Sequence, residues 1–132
     1  MSNKRLLAVD DSKPFLEFVR KVAVGLGYDV ELADNGADFK KLYGTFQPNL
    51  VVVDLIMPDI DGMELIQWLA ELDTPARVIV VTGYSPEYAS LAKMLGEGKG
   101  LTTVKTLTKP IKANDLRSAL MGEPVEMLEE AE

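Results

Sequence analysis

Five short apolar runs, each followed by a segment of helical periodicity, constrain this chain more than any other feature. Leu6 to Val9, Leu50 to Val53 and Val78 to Val81 are apolar on both faces. A strand built from any of them must be covered from both sides, as in the centre of a parallel sheet. Two further runs alternate instead: Asp29 out, Val30 in, Glu31 out, Leu32 in, and then roughly Thr103 to Leu107. Alternation suits sheet edges. Right-handed crossovers through the intervening helices then give one solution, a doubly wound α/β domain of five β-α units. Its parallel five-stranded sheet has the order 2-1-3-4-5.

The helical segments carry apolar stripes at 3.6-residue spacing. The expected buried faces are Phe15, Val19, Val22 and Leu26; Phe39, Leu42, Tyr43 and Phe46; Leu65, Ile66, Leu69 and Leu72; Tyr88, Leu91, Ala92 and Leu95; and Leu116, Ala119 and Leu120. Pro14 fits the first turn of the first helix, which Gly25 and Gly27 end. Asn35-Gly36 is expected to make a turn, and Pro48 to block further helix. Ser85 can cap the fourth helix with Pro86 at its first position. Gly96, Gly98 and Gly100 read as a mobile connector. Glycines that follow a helix and precede a strand reverse the order of a phosphate-binding loop.

At 132 residues there is room for one domain, expected over 1–122, with 123–132 as an acidic tail. Of a formal net charge of −7, the tail contributes Glu123, Glu126, Glu129, Glu130 and Glu132. The body is therefore only mildly acidic, which argues against direct nucleic-acid binding. No apolar run approaches the roughly 20 residues of a membrane span, and none has the form of an export signal, so the expected compartment is the cytoplasm. The chain has no cysteine and no histidine. Thiol chemistry, imidazole bases and thiolate or imidazole metal sites are thereby excluded. Any chemistry must use carboxylates, lysines and hydroxyls, and any metal should be a hard cation on oxygen ligands.

In a sheet of this order, ligands bind beyond the carboxyl ends of the strands, where strand order reverses. Asp10 and Asp11 follow the first strand, Asp54 ends the third, Thr82 ends the fourth and Lys109 follows the fifth. Taken singly, each suits a cap or turn. Together they place three carboxylates at one end of the sheet. Near a protein surface, such charges repel by roughly 4 kcal/mol per pair at close approach. A cation relieves that repulsion, and Mg²⁺ suits one or two carboxylates with retained waters and a phosphate oxygen.

These residues carry a resemblance. Asp10-Asp11, Asp54-Leu55-Ile56-Met57-Pro58-Asp59-Ile60-Asp61-Gly62, Thr82-Gly83 and Lys109-Pro110 stand in the order and at the stations of the bacterial response-regulator receiver domain. The chain resembles that family from residue 5 to about 121, and the resemblance implies a flavodoxin-like fold. It further implies that Asp54 accepts a phosphoryl group from a phosphohistidine. Asp10, Asp11, Asp54 and the Ile56 carbonyl would hold Mg²⁺. Lys109 would pair with the phosphoryl oxygens, the Thr82 hydroxyl would move to bond them, and Gly83 would leave them room. A cis bond before Pro110 would position Lys109.

The implied partners are a histidine kinase or histidine phosphotransfer protein, facing the first helix and the loop at Asp11 and Ser12, and a downstream protein target. A homodimer formed on phosphorylation stays open. With no effector segment after the last helix, output would pass through protein contacts or onward phosphotransfer. The implied activity is self-catalysed phosphotransfer and slow self-dephosphorylation, without turnover of an independent substrate.

Three positions bear on how closely the chain follows the pattern. The family usually has an aromatic ring three residues before the lysine, where this chain has Thr106. A threonine cannot bury comparable apolar area, which keeps open a degenerate receiver that binds partners without phosphate. Tyr84 and Ile56 would place bulk on the path of an attacking water. Ile56 also occupies the station where an aspartyl phosphatase of this kind would need its second acid-base aspartate, so that reading is the weakest.

Overall fold

The computed structural model describes residues 3–83, 86–101 and 104–122. Strands and helices alternate as β1 (Arg5–Val9), α1 (Lys13–Gly25), β2 (Asp29–Ala33), α2 (Gly36–Phe46), β3 (Leu50–Asp54), α3 (Gly62–Glu71), β4 (Arg77–Thr82), α4 (Pro86–Gly98), β5 (Val104–Thr108) and α5 (Ala113–Leu120). Every strand pairing is parallel, and the order is β2-β1-β3-β4-β5, as the apolar pattern predicts. All five residues of β3 are buried, whereas Val30 and Leu32 of β2 are only half-buried. Two-faced strands lie in the centre and alternating ones at the edges.

The sheet separates two cores. Leu16, Val19, Val22 and Ala23 of α1 join Leu116, Ala119 and Leu120 of α5 on one face. Phe39 of α2, Leu65, Ile66 and Leu69 of α3, and Ala89 and Ala92 of α4 fill the other. The expected stripes shift in three helices. In α1, Leu16 and Ala23 are buried, while Phe15 and Leu26 pack at the margin. Leu72 is 47% exposed because it caps α3 instead of belonging to it, and Ala70 takes the inner place. Leu91 is 55% exposed, since α4 lays Ala89, Ala92 and Gly96 against the sheet and turns Leu91 outward.

Two glycine readings change as well. Asn35-Gly36 is a helix start and not a free-standing turn: the Asn35 side chain accepts from Asp38 N at 2.8 Å. Gly96 and Gly98 lie within α4, so the connector begins later than the glycines suggest. A Cβ on Gly96 would stand 2.8 Å from Leu101 Cδ1 and 3.1 Å from Ile66 Cγ2. Close packing of α4, α3 and the return to β5 accounts for that glycine. The sharp reversal falls at Gly100, whose φ of +110° suits glycine. The Ser85 cap and Thr103 lie outside the described residues.

The amino end of the sheet is tied down by polar contacts. Arg77 donates to Leu120 O at 2.7 Å and to the Tyr28 hydroxyl at 3.2 Å, and Tyr28 donates to the same carbonyl at 3.0 Å. These contacts satisfy the carboxyl end of α5, whose last carbonyls lack helical partners. The opposite end is left for the polar side chains described next.

Candidate functional site

Register brings the acidic residues together. Val9 pairs with Val53, so one step further Asp10 lies beside Asp54. Thr82 pairs with Thr108, so Lys109 emerges one step beyond, and its backbone N–H donates to Thr82 O at 2.8 Å. Asp10, Asp11 and Asp54 each present a carboxylate oxygen within 4.8 Å of the others. Asp10 and Asp54 are 1% and 4% exposed, while Asp11 stands in solvent at the rim.

Local chemistry fixes each group. Asp10 Oδ1 accepts from Ser12 N at 2.8 Å, and Ser12 Oγ caps α1 by accepting from Phe15 N. Asp10 Oδ2 is buried and lies 2.9 Å from Lys109 Nζ. The two charges meet without an aligned hydrogen bond, and among the described residues Oδ2 has no other hydrogen-bond partner. Asp54 Oδ1 accepts from Ile56 N at 3.2 Å. The Lys109–Pro110 bond is cis, as the resemblance implies. Gly83 approaches the Lys109 stem, and a Cβ there would sit 3.6 Å from Lys109 Cβ and Cδ. The space at Gly83 thus adjoins the lysine stem.

The electrostatics follow from this crowding. Burial pushes the Asp54 carboxyl up to about 6, and the negative charge of Asp10 adds to the rise. The Ile56 N–H and the Lys109 ammonium oppose it, and Asp11 adds a smaller push upward. Two buried carboxylates with one ammonium are short of positive charge. The donor set is all oxygen, it includes a buried carboxylate oxygen that faces the Lys109 ammonium without an aligned hydrogen bond, and its members lie within reach of one ion. Such a set fits a hard divalent cation.

The loop after β3 folds back on itself beside Asp54. Ile56 and Asp61 form an antiparallel bridge, and Gly62 N donates to Leu55 O at 3.0 Å. A Cβ on Gly62 would lie 2.4 Å from Leu55 Cα, so only glycine permits this closure. Asp61 caps α3 by accepting from Met63 N at 2.9 Å, and it accepts from the Tyr88 hydroxyl at 2.7 Å. Partial burial, and after it that contact with Asp61, push the Tyr88 phenol up to about 12. The Ile56 side chain, two residues past Asp54, is 49% exposed, and Thr82 is fully buried at the end of β4. Thr106 is exposed, although strand period places it on the face that buries Val104. Tyr84 lies outside the described residues.

Sequence reasoning assigned Phe15 to the core alone. In the fold its ring lies 4.4 Å from Lys109 Nζ, a cation–π contact that steadies the ammonium. Its place in the first turn of a helix starting at the site's edge was the available signal. Beside it, Ser12, Phe15, Phe18, Gly83, Pro110 and Ile111 line an open cleft of about 570 Å³ next to Lys109.

The sequence model of the family described as "Response regulator receiver domain" matches residues 6–121. The chain belongs to the response-regulator receiver family. Among its relatives, the photosynthetic apparatus regulatory protein RegA of Rhodobacter capsulatus is 30% identical over 121 residues, covering 92% of this chain and 63% of that protein. Sporulation initiation phosphotransferase F of Bacillus subtilis is 28% identical over 120 residues, covering 91% of this chain and 93% of that one. The chain thus spans about three-fifths of the length of the RegA proteins it matches. Among solved structures, a CheY-like receiver from Methanospirillum hungatei superposes with a TM-score of 0.78 at 26% identity, covering 92% of this chain and 93% of that one. A response regulator from Burkholderia pseudomallei, with a phosphorylated aspartic acid, calcium ion and citrate, superposes at 0.74 and 28% identity, covering 89% and 66%. The receiver's five strands and five helices are the flavodoxin-like arrangement of these neighbours. Receiver domains are signalling modules in two-component systems, not classical enzymes, and they interact with histidine kinases and downstream effectors. No described helix of this one is long and apolar enough to cross a membrane.

Proposed function

We propose that this receiver is a phosphorylation switch whose acceptor is Asp54, with residues 1–122 forming the switch and 123–132 an acidic extension. One observation carries the reading: a buried strand-end carboxylate shares its cavity with a second buried carboxylate whose outer oxygen meets a lysine ammonium. With its carboxyl at about 6, Asp54 is mostly ionised at neutral pH and can act as a nucleophile. An Asp54 oxygen attacks the phosphorus of a partner's phosphohistidine. The O–P bond forms as the P–N bond breaks, and the imidazole leaves with the electron pair and takes a proton from solvent.

Asp10, Asp11, Asp54 and the Ile56 carbonyl would hold Mg²⁺. When bound, that ion neutralises charge on the acceptor and on the phosphoryl oxygens. Lys109 turns from Asp10 toward the phosphoryl group, guided by Phe15. Thr82 leaves its buried position to donate a hydrogen bond. Preorganised charge of this kind is most of what phosphoryl transfer asks of a protein. The cleft beside Phe15 and Lys109 is the place for the phosphodonor protein to dock, and the output is contact with a downstream protein or onward transfer.

The exposed Thr106 favours a second reading, a binding module indifferent to phosphate. Incubation with acetyl phosphate and Mg²⁺ separates the two. A mass gain of one phosphoryl group, absent without Mg²⁺ and absent in Asp54→Asn, supports the switch. An unchanged mass supports the module.

A further inference from the structure

The candidate cation cavity has two walls on different segments. Asp10 and Asp11 follow β1, while Asp54 and Ile56 belong to β3 and its loop. Pairing of Val9 with Val53 already holds Asp10 beside Asp54, so what remains is to fix the loop that carries Ile56 against the β1 side. The Ile56–Asp61 bridge closes the loop on itself and does not do this.

Asp59, at the loop's middle, reaches across the chain to do so. Its carboxylate accepts from the backbone N–H of Gly36, at 2.9 Å through Oδ2 and 3.2 Å through Oδ1. Gly36 is the first residue of α2, which packs on β1 and β2. The first amides of a helix have no partner within it, and the positive end of its dipole favours an anion. Asn35 satisfies the Asp38 N–H, so Asp59 takes the amide that the cap leaves over.

The neighbouring side chain makes the contact specific. A Cβ on Gly36 would lie 2.3 Å from Ile60 Cγ2 and 3.1 Å from Ile60 Cβ. Ile60 therefore occupies the volume a side chain at 36 would need. A carboxylate on an amide and an isoleucine on a bare glycine hold the same two segments together, across 23 residues of sequence.

We propose that Asp59 is a positioning residue for the Mg²⁺ site, clamping the loop that carries Ile56 to the amino end of α2 and so to the β1 side. The inference rests on the reading of Asp54 as a Mg²⁺-dependent acceptor. Because Asp59 also carries charge near the cavity, the test separates the hydrogen bond from the charge. Asp59→Asn keeps an acceptor and loses the charge, Asp59→Ala loses both, and Gly36→Ala keeps every charge while displacing Ile60.

Mg²⁺ is titrated calorimetrically into the full chain and each variant, and amide hydrogen exchange is measured without metal. Asp59→Ala and Gly36→Ala should each weaken Mg²⁺ by about tenfold, as loss of a group that orients a ligand does, and Asp59→Asn by about twofold or less. Exchange at Gly36 should quicken in Asp59→Ala and stay near the parent's in Asp59→Asn. Equal weakening in both Asp59 variants, with Gly36→Ala and the exchange rates unchanged, would reduce Asp59 to a distant charge and overturn the clamp. Failure of the underlying reading looks different: the parent itself would bind no Mg²⁺, or would bind it as well after Asp54→Asn, and the proposal would fall with it.

Discussion

Asp54 is held at a cost that its own titration should reveal. Its carboxyl ionises near 3.8 in a solvated chain and near 6 in the fold, chiefly because it is buried. The folded state therefore grips the proton more tightly. The resulting stability is fully present below about pH 4 and is lost as pH rises through 6. Above that, the ionised group opposes folding by something on the order of 3 kcal/mol when no cation is bound. Asp54→Asn should match the parent's stability near pH 4 and exceed it by about 1–3 kcal/mol near pH 7 without metal. Urea denaturation at the two values checks this, and an advantage that shrinks as pH rises would contradict it.

Lys109 supplies the counterweight, since its ammonium lies 2.9 Å from Asp10 Oδ2. Lys109→Met keeps the apolar stem against Phe15 and removes the charge. The variant should lose about 1–3 kcal/mol of metal-free stability, because Asp10 is left buried without a cation. It should also bind Mg²⁺ more tightly than the parent, since a competing positive charge has gone. Calorimetric titration reading a weaker affinity would count against the ion pair described above.

At the scale of elements, two glycines set how α3 and α4 sit, and they differ in what surrounds them. Gly62 faces backbone: a Cβ would lie 2.4 Å from Leu55 Cα and 2.7 Å from its carbonyl oxygen. Gly96 faces side-chain ends, the nearest being Leu101 Cδ1 at 2.8 Å, which can move aside. Alanine inside a helix regains roughly 0.5–1 kcal/mol of propensity, which offsets part of the crowding at Gly96. Gly62→Ala should cost about 3 kcal/mol or more, and Gly96→Ala about 1 kcal/mol. Thermal or urea unfolding that ranks them the other way would show that the closure of the β3–α3 loop is softer than it looks.

The same contrast explains what could be read without coordinates. Leu50 to Val53 announces a central strand because nothing else in a small domain buries both faces of such a run. Asp10, Asp54, Thr82 and Lys109 were placed together because strand ends in a parallel sheet share one edge. Gly96 reads as part of a mobile connector but lies in α4, because its reason is a contact with Leu101 and Ile66, which periodicity does not reveal. The seating of Lys109 over Phe15 and the tie from Asp59 to Gly36 likewise join segments remote in sequence. Leu91 stays outside because a helical stripe is wider than the strip the sheet covers, and Leu72 because α3 ends one residue before it.

Across the whole molecule the two ends of the sheet are built for different work. At the amino end, Arg77 and Tyr28 satisfy the last carbonyls of α5, and Arg5 donates to Asn49 Oδ1 at 2.9 Å and to Gln47 O at 2.8 Å. These contacts stabilise the domain. At the carboxyl end, like charges are gathered and only partly neutralised, so that end is held in a state that a bound cation improves. The central claim is that the carboxylates after β1 and at the end of β3 share one cation. A crystal of the chain soaked in Mn²⁺, which accepts the same oxygen-rich octahedral sites as Mg²⁺, tests it directly through the metal's anomalous signal. The account predicts a peak within bonding distance of Asp10 or Asp11 and of Asp54 together, absent in Asp54→Asn; a peak elsewhere, or one that survives that substitution, would contradict it.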